Sequence, residues 1–180
     1  MRVSDAAPSL FAGLLGAEFS RLPPQVAKIH TRQGMREYAG EVQVRRGKGL
    51  FLSLCASAAR LPPTRAAGPL RVEIEATHDG ETWTRRFGSH LMASRLWPSE
   101  GLLAERLGLL FFGFKLSVND GVLLWQVERV SVAGIALPKR WFKGVIASEF
   151  EQDGRYHFEV GATLPLLGEL IHYAGWLDVD

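Results

Sequence analysis

"LRVEIEATHDGETWTRRF", residues 70–87, decides the fold. Val72, Ile74 and Ala76 alternate with Arg71, Glu73 and Glu75, the period of two that marks a strand with one face in a core. The Asp79-Gly80 pair that follows is a hairpin turn. The next run, Thr82 to Phe87, must therefore return antiparallel beside the first. On that returning strand Trp83, Arg85 and Phe87 share one face, which sets a guanidinium between two large aromatics.

The same pattern extends in both directions. Downstream, strands are expected at 90–97, 102–107, 109–118, 121–131, 144–152, 155–162 and 169–178, with "NDG" at 119–121 and "QDG" at 152–154 as further tight turns. Upstream, "EYAGEVQVRRG" alternates from Glu37, with Tyr38, Gly40, Val42 and Val44 opposing Glu37, Glu41 and Gln43. Between these upstream and downstream strands, "GKGLFLSLCASAARLPP" reads as a helix over 47–60 that stops before the paired prolines, and "PPTRAAGP" as a loop. Two short helices are expected before any strand, at "PSLFAGLLG" and "RLPPQVAKIH", each opened by proline. "LPKRWF" fits a helical turn starting at Pro138.

About nine strands joined mostly in sequence order predict an antiparallel meander, and so long a twisted sheet curls to protect its edges. The expected architecture is a mainly β barrel or half-barrel with short N-terminal helices and one helix between the first two strands. Its helices are expected to cover one surface of the sheet. Gly113, Gly161, Gly168 and Gly175 fit bends or bulges. The division is one domain over 1–180, with a helical segment at 1–31 and a curled sheet at 37–180 that carries the inserted helix 47–60.

Composition narrows the function. At 180 residues and 47% hydrophobic, the chain can bury its own core. Twenty-one Lys and Arg against nineteen Asp and Glu leave a net charge of +2, and the cations are scattered rather than gathered into a groove that tracks phosphates. Nucleic acid is not an expected partner. Cys55 is the only cysteine, which rules out an internal disulfide and fits a reducing, cytoplasmic setting. Asp5 and Pro8 interrupt the N-terminal stretch that follows Arg2, so it reads as mature protein rather than a secretory leader. The longest apolar run, "LGLLFFGF" at 107–114, is far short of the roughly 20 residues of a spanning helix.

The ordered set "LLG", "RLPPQVAKIH", "WTRRFG", "AERLG", "NDG", "LP" before a basic aromatic stretch, "DGRYHFEV" and "PLLGELIHYAGWL" resembles the bacterial domain-of-unknown-function family 4166, over residues 10–178. The resemblance implies members that stand alone or fused behind a saccharopine-dehydrogenase-like NADP-binding domain, and no established activity. The chain itself carries no GxGxxG turn between a strand and a helix, so any dinucleotide enzyme involved would be a separate polypeptide. No cofactor is expected here.

Arg85 is the sharpest candidate residue. Facing inward it needs a carboxylate from the protein or from a ligand, and Glu105, which alternates with Leu103 and Leu107, is the natural internal partner. Three readings stand: the two form an ion pair that fixes strand register, Arg85 orients a bound molecule in an apolar pocket with Trp83, Phe87, Glu105 and Tyr173 as the other ligand-binding candidates, or Arg85 lies exposed beside a surface aromatic. The five histidines are too widely spaced for a local metal motif. There is no GxSxG, and Cys55 sits among apolar neighbours. His30 is expected to satisfy a helix-end carbonyl or pack on the sheet, and Glu149 and Glu151 have no evident partner. The leading expectation is a binding module for a hydrophobic or amphipathic small molecule. An accessory domain working with a redox enzyme comes second, and an enzyme assembled from distant residues such as Arg85, Glu105 or Tyr173 third.

Overall fold

A computed structural model describes residues 8–180; Arg2 and Asp5, used above to reject a leader, lie outside them. Eleven strands run in chain order: β1 (Gly34–Arg46), β2 (Arg65–Thr77), β3 (Gly80–Phe87), β4 (His90–Ser99), β5 (Leu102–Leu107), β6 (Leu110–Asn119), β7 (Val122–Val132), β8 (Ile135–Ala136), β9 (Gly144–Gln152), β10 (Arg155–Leu164) and β11 (Gly168–Asp178). All pairings are antiparallel, β6 joins β7, β7 joins β9, and β11 returns to β1. The result is a closed ten-stranded barrel, with β8 a two-residue flap on β7. Closure removes both sheet edges, which is the physical reason so long a meander does not stay open.

Alternation sorts the wall. Val72 faces Arg85, Ile74 faces Trp83 and Leu70 faces Phe87 across β2 and β3, and all six point inward. Arg71, Glu73 and Glu75 take the opposite face. The wall is therefore apolar within and charged without, the inverse of the lipid-facing barrel pattern. At Gly175, on the inner face of β11, a Cβ would lie 2.1 Å from the Glu41 carbonyl oxygen and 2.9 Å from the Phe158 ring. Gly113 lies at the register shift between β6 and β7, as its expected bulge role requires.

Three helices complete the chain: α1 (Leu10–Leu15), α2 (Pro24–Thr31) and α3 (Leu50–Ala58). They close the two ends of the barrel rather than one surface of a sheet, because a closed barrel has no open face left to cover. At the first end the α1–α2 pair is a plug. Phe11 and Val26 are fully buried, and Ile29 and His30 nearly so. The plug is tied to the wall by Gln25 N–H donating to Glu151 Oε2 (2.9 Å) and by Val118 N–H donating to Glu18 Oε2 (3.1 Å).

At the second end α3 lies across the rim, where Leu109 N–H donates to the Ala58 carbonyl (3.1 Å). It begins at Leu50, not at 47, because Gly47 N–H is still bonded to the Leu170 carbonyl (3.1 Å) and Gly49, at φ 140°, breaks the chain direction first. β2 begins at Arg65, inside the expected loop. Its Pro69 precedes Leu70, the first β2 residue paired with β3, and is flanked there by β1 alone, opposite Glu41, a strand-end position of the kind that tolerates proline. A 3-10 turn, Lys139–Phe142, follows Pro138 as expected.

Candidate functional site

Eight strands leave a lumen that side chains can fill, and wider barrels leave space. Here a cavity of about 140 Å³ remains, lined from nine of the ten wall strands, comparable with a dry cavity of about 150 Å³ that accepts a benzene-sized guest. Trp83, Arg85, Phe87, Glu105 and Tyr173 all line it. The sequence-derived candidates are therefore brought together, as strand alternation required.

Arg85 is incompletely held. Its Nη1–H donates to Ser94 Oγ at 3.0 Å and its Cζ sits 5.0 Å over the Trp83 ring. The expected Glu105 partner is present, but Nη2 to Oε1 is 3.9 Å, well beyond the roughly 2.7–2.9 Å of a charge-assisted hydrogen bond. Both side chains are only 12% and 11% exposed, so the guanidinium has donors to spare in a place where water is scarce. Phe87 meets Tyr173 edge-on at 5.9 Å. Burial pushes the Tyr173 hydroxyl up to about 12, with Arg85 opposing and Glu105 and Glu149 adding to the shift; Tyr173 is a neutral hydrogen-bonding group at any physiological pH.

A second polar cluster lies toward the plugged end. His30 Nε2 is 2.5 Å from Glu149 Oε2, and the two side chains are 0% and 6% exposed. His30 thus pairs with a carboxylate rather than a helix-end carbonyl, and Glu149 has the partner that the sequence did not reveal. Burial first, then the charge and hydrogen bonding of Glu149, hold the Tyr156 hydroxyl well above its ordinary range. Glu81, one step along the inward face from Trp83, accepts the indole N–H at 2.7 Å. Burial raises its carboxyl, with His30 and Trp83 opposing. Trp125, also in the cavity wall, keeps its indole nitrogen buried and without a partner. Toward the α3 end the lining becomes apolar, through Leu61, Leu107, Leu110, Phe142, Leu164 and Leu170.

Ser94 and Glu81 were within reach of the alternation argument, since both share the face of Trp83. The His30–Glu149 pair was not, because its members are 119 residues apart and one is on a helix. Cys55 is half-buried on α3 and burial raises its thiol, the opposite of activation as a nucleophile.

A family model described as a domain of unknown function, DUF4166, matches residues 22–177. No curated protein matches the chain.

Proposed function

We propose, for a chain that belongs to the DUF4166 family, that the lumen binds a hydrophobic or amphipathic small molecule whose polar end is oriented by Arg85. The observation that carries this reading is an incompletely bonded guanidinium in the wall of a mostly apolar cavity, whose lining also holds the unpartnered Trp125 N–H. A buried donor without an acceptor is costly, and an oxygen on a ligand would supply one. Glu105, 3.9 Å from Arg85, would repel a second carboxylate, so the chemistry favours a neutral carbonyl or hydroxyl over an acid. Trp83, Phe87 and Tyr173 supply the apolar contact, and the apolar lining toward α3 takes the remainder of the molecule.

Native mass spectrometry of the purified protein, before and after mild organic extraction, tests this. Extractable lipophilic mass, lost in Arg85→Ala and in Arg85→Met that keep the barrel's circular dichroism, supports the reading. A clean mass in the wild type, with no uptake of an added small ketone or alcohol of about benzene's size, refutes it. The second reading, an accessory domain for a dehydrogenase-like partner, draws on the exposed apolar side chains of α3. A cytoplasmic setting belongs with both readings, on the single Cys55.

A further inference from the structure

We propose that the α3 end of the barrel docks on an anionic lipid bilayer, with α3 lying among the headgroups. Strand directions alternate, so the connections β1–β2 (which contains α3), β3–β4, β5–β6, β7–β9 and β10–β11 all gather at this end. Only Leu52 and Ala56 of α3 are buried against the barrel, whereas Leu50, Phe51 and Leu54 are 91%, 56% and 66% exposed. Leu109, Trp141 and Leu166 stand out from three other connections at the same end. Apart from Met35, every exposed large apolar side chain of the described residues lies in these connections or on strand residues near them.

Charge follows the same division. The five connections contain no Asp or Glu, but carry Lys48, Arg60, Lys139, Arg140 and Lys143, all exposed. Two acids lie near this end and both are paired: Glu169 accepts two hydrogen bonds from Arg45 (3.1 and 3.0 Å), and Glu128 accepts from Lys139 Nζ, which leaves Lys48, Arg60, Arg140 and Lys143 as the cations that carry the charge argument. Each of the four hairpin turns at the plugged end carries an acid and no Lys or Arg: Asp79, Glu100, Asp120 and Asp153. The plug itself carries Arg21, Lys28 and Arg32, so the division holds for the connections: those at the α3 end are free of acids and those at the other end carry them, and a negative surface attracts the α3 end through its exposed cations. Apolar residues standing on separate short turns with cations between them fit a headgroup layer, where no shaped counterpart is needed and the cations meet anionic lipid. Trp141, half-exposed between Arg140 and Lys143, is the side chain type that settles at such an interface.

No helix of the described residues is long and apolar enough to cross a membrane, so this contact is with one leaflet. Docking stands on the surface alone; its use, loading the lumen through the apolar lining under α3, rests on the binding reading above.

Co-sedimentation with vesicles tests it, using phosphatidylcholine alone and phosphatidylcholine mixed with phosphatidylglycerol. The full chain is expected to pellet with the anionic vesicles, to be released at high salt, and to bind at least about tenfold more weakly when Leu50, Phe51 and Leu54 are changed to Ser or when Lys48, Arg140 and Lys143 are changed to Glu. The salt release needs no variant, and the variants alter only exposed side chains. Absence of pelleting with anionic vesicles overturns the proposal. So does a dimer in light scattering that Leu54→Ser dissociates, since a second copy would then own this face. The lumen is read separately, by adding a small ketone directly to the extracted, purified proteins: both sets of variants should take it up as the wild type does, whereas Arg85→Ala should not; vesicle binding without any lumen uptake would refute only the binding reading.

Discussion

The two ends of the barrel are closed by helices of similar length in opposite ways. At the plugged end, α1 and α2 bury Phe11, Val26 and Ile29 in the lumen and pair His30 with the Glu149 carboxyl on the wall. At the other end, α3 buries little more than Leu52 and Ala56 and turns its larger apolar side chains to the outside. The plug is thus part of the core, and its sequence is constrained by what it touches inside. Among the described residues nothing covers Leu50 or Leu54, and docking on a bilayer is what would account for them.

The sharpest way to break this comparison is at Phe11, which packs its ring 3.7 Å from His30 and 5.5 Å from Trp125. Phe11→Ala should cost about 3–5 kcal/mol in denaturant unfolding; a loss below about 1 kcal/mol would show that the plug is not core. Next, His30→Ala leaves the buried Glu149 carboxyl without its hydrogen-bond partner and should cost about 1–3 kcal/mol, which urea midpoints of the variant and the wild type will show.

Arg85 separates glue from anchor. With its Glu105 contact at 3.9 Å, a double-mutant cycle on Arg85→Met and Glu105→Gln should give a coupling of no more than about 1 kcal/mol. A larger coupling would make the pair a structural clasp. Glu81 offers a test of sign. Burial raises its carboxyl above the ordinary 4.5, so the folded state holds the proton more tightly than the unfolded one, and stability should fall as pH rises from the unfolded value through the raised one. Glu81→Gln keeps an acceptor for the Trp83 indole and should flatten that decline in thermal melts across the window. The smallest effect belongs to the other end: Leu54→Ser should change stability by less than about 0.5 kcal/mol, and a loss of core size would erase the contrast drawn here.

Much of this architecture is written locally. Val72, Ile74, Trp83 and Phe87 announce their faces by period, and the Asp-Gly turns at 79–80, 120–121 and 153–154 fix antiparallel neighbours. That is also why Arg85 and Glu105 could be placed in one lumen before any coordinates. What local pattern cannot carry is closure, since β1 and β11 pair residues as far apart as Ala39 and Asp178. The same holds for the plug: a helical His30 has no period in common with a strand Glu149. The exposed face of α3 was hidden for a different reason, because "LFLSLCASA" is apolar nearly all round and a helix of that kind is normally read as buried.

The central claim is that the lumen is a binding site anchored by Arg85, and the most direct measurement is native mass spectrometry of the wild type beside Arg85→Met, each before and after organic extraction. The account predicts a lipophilic adduct on the wild type, removed by extraction and missing from the folded variant. An adduct of equal occupancy on both proteins, or none on the wild type even after exposure to a small ketone of about benzene's size, would contradict it.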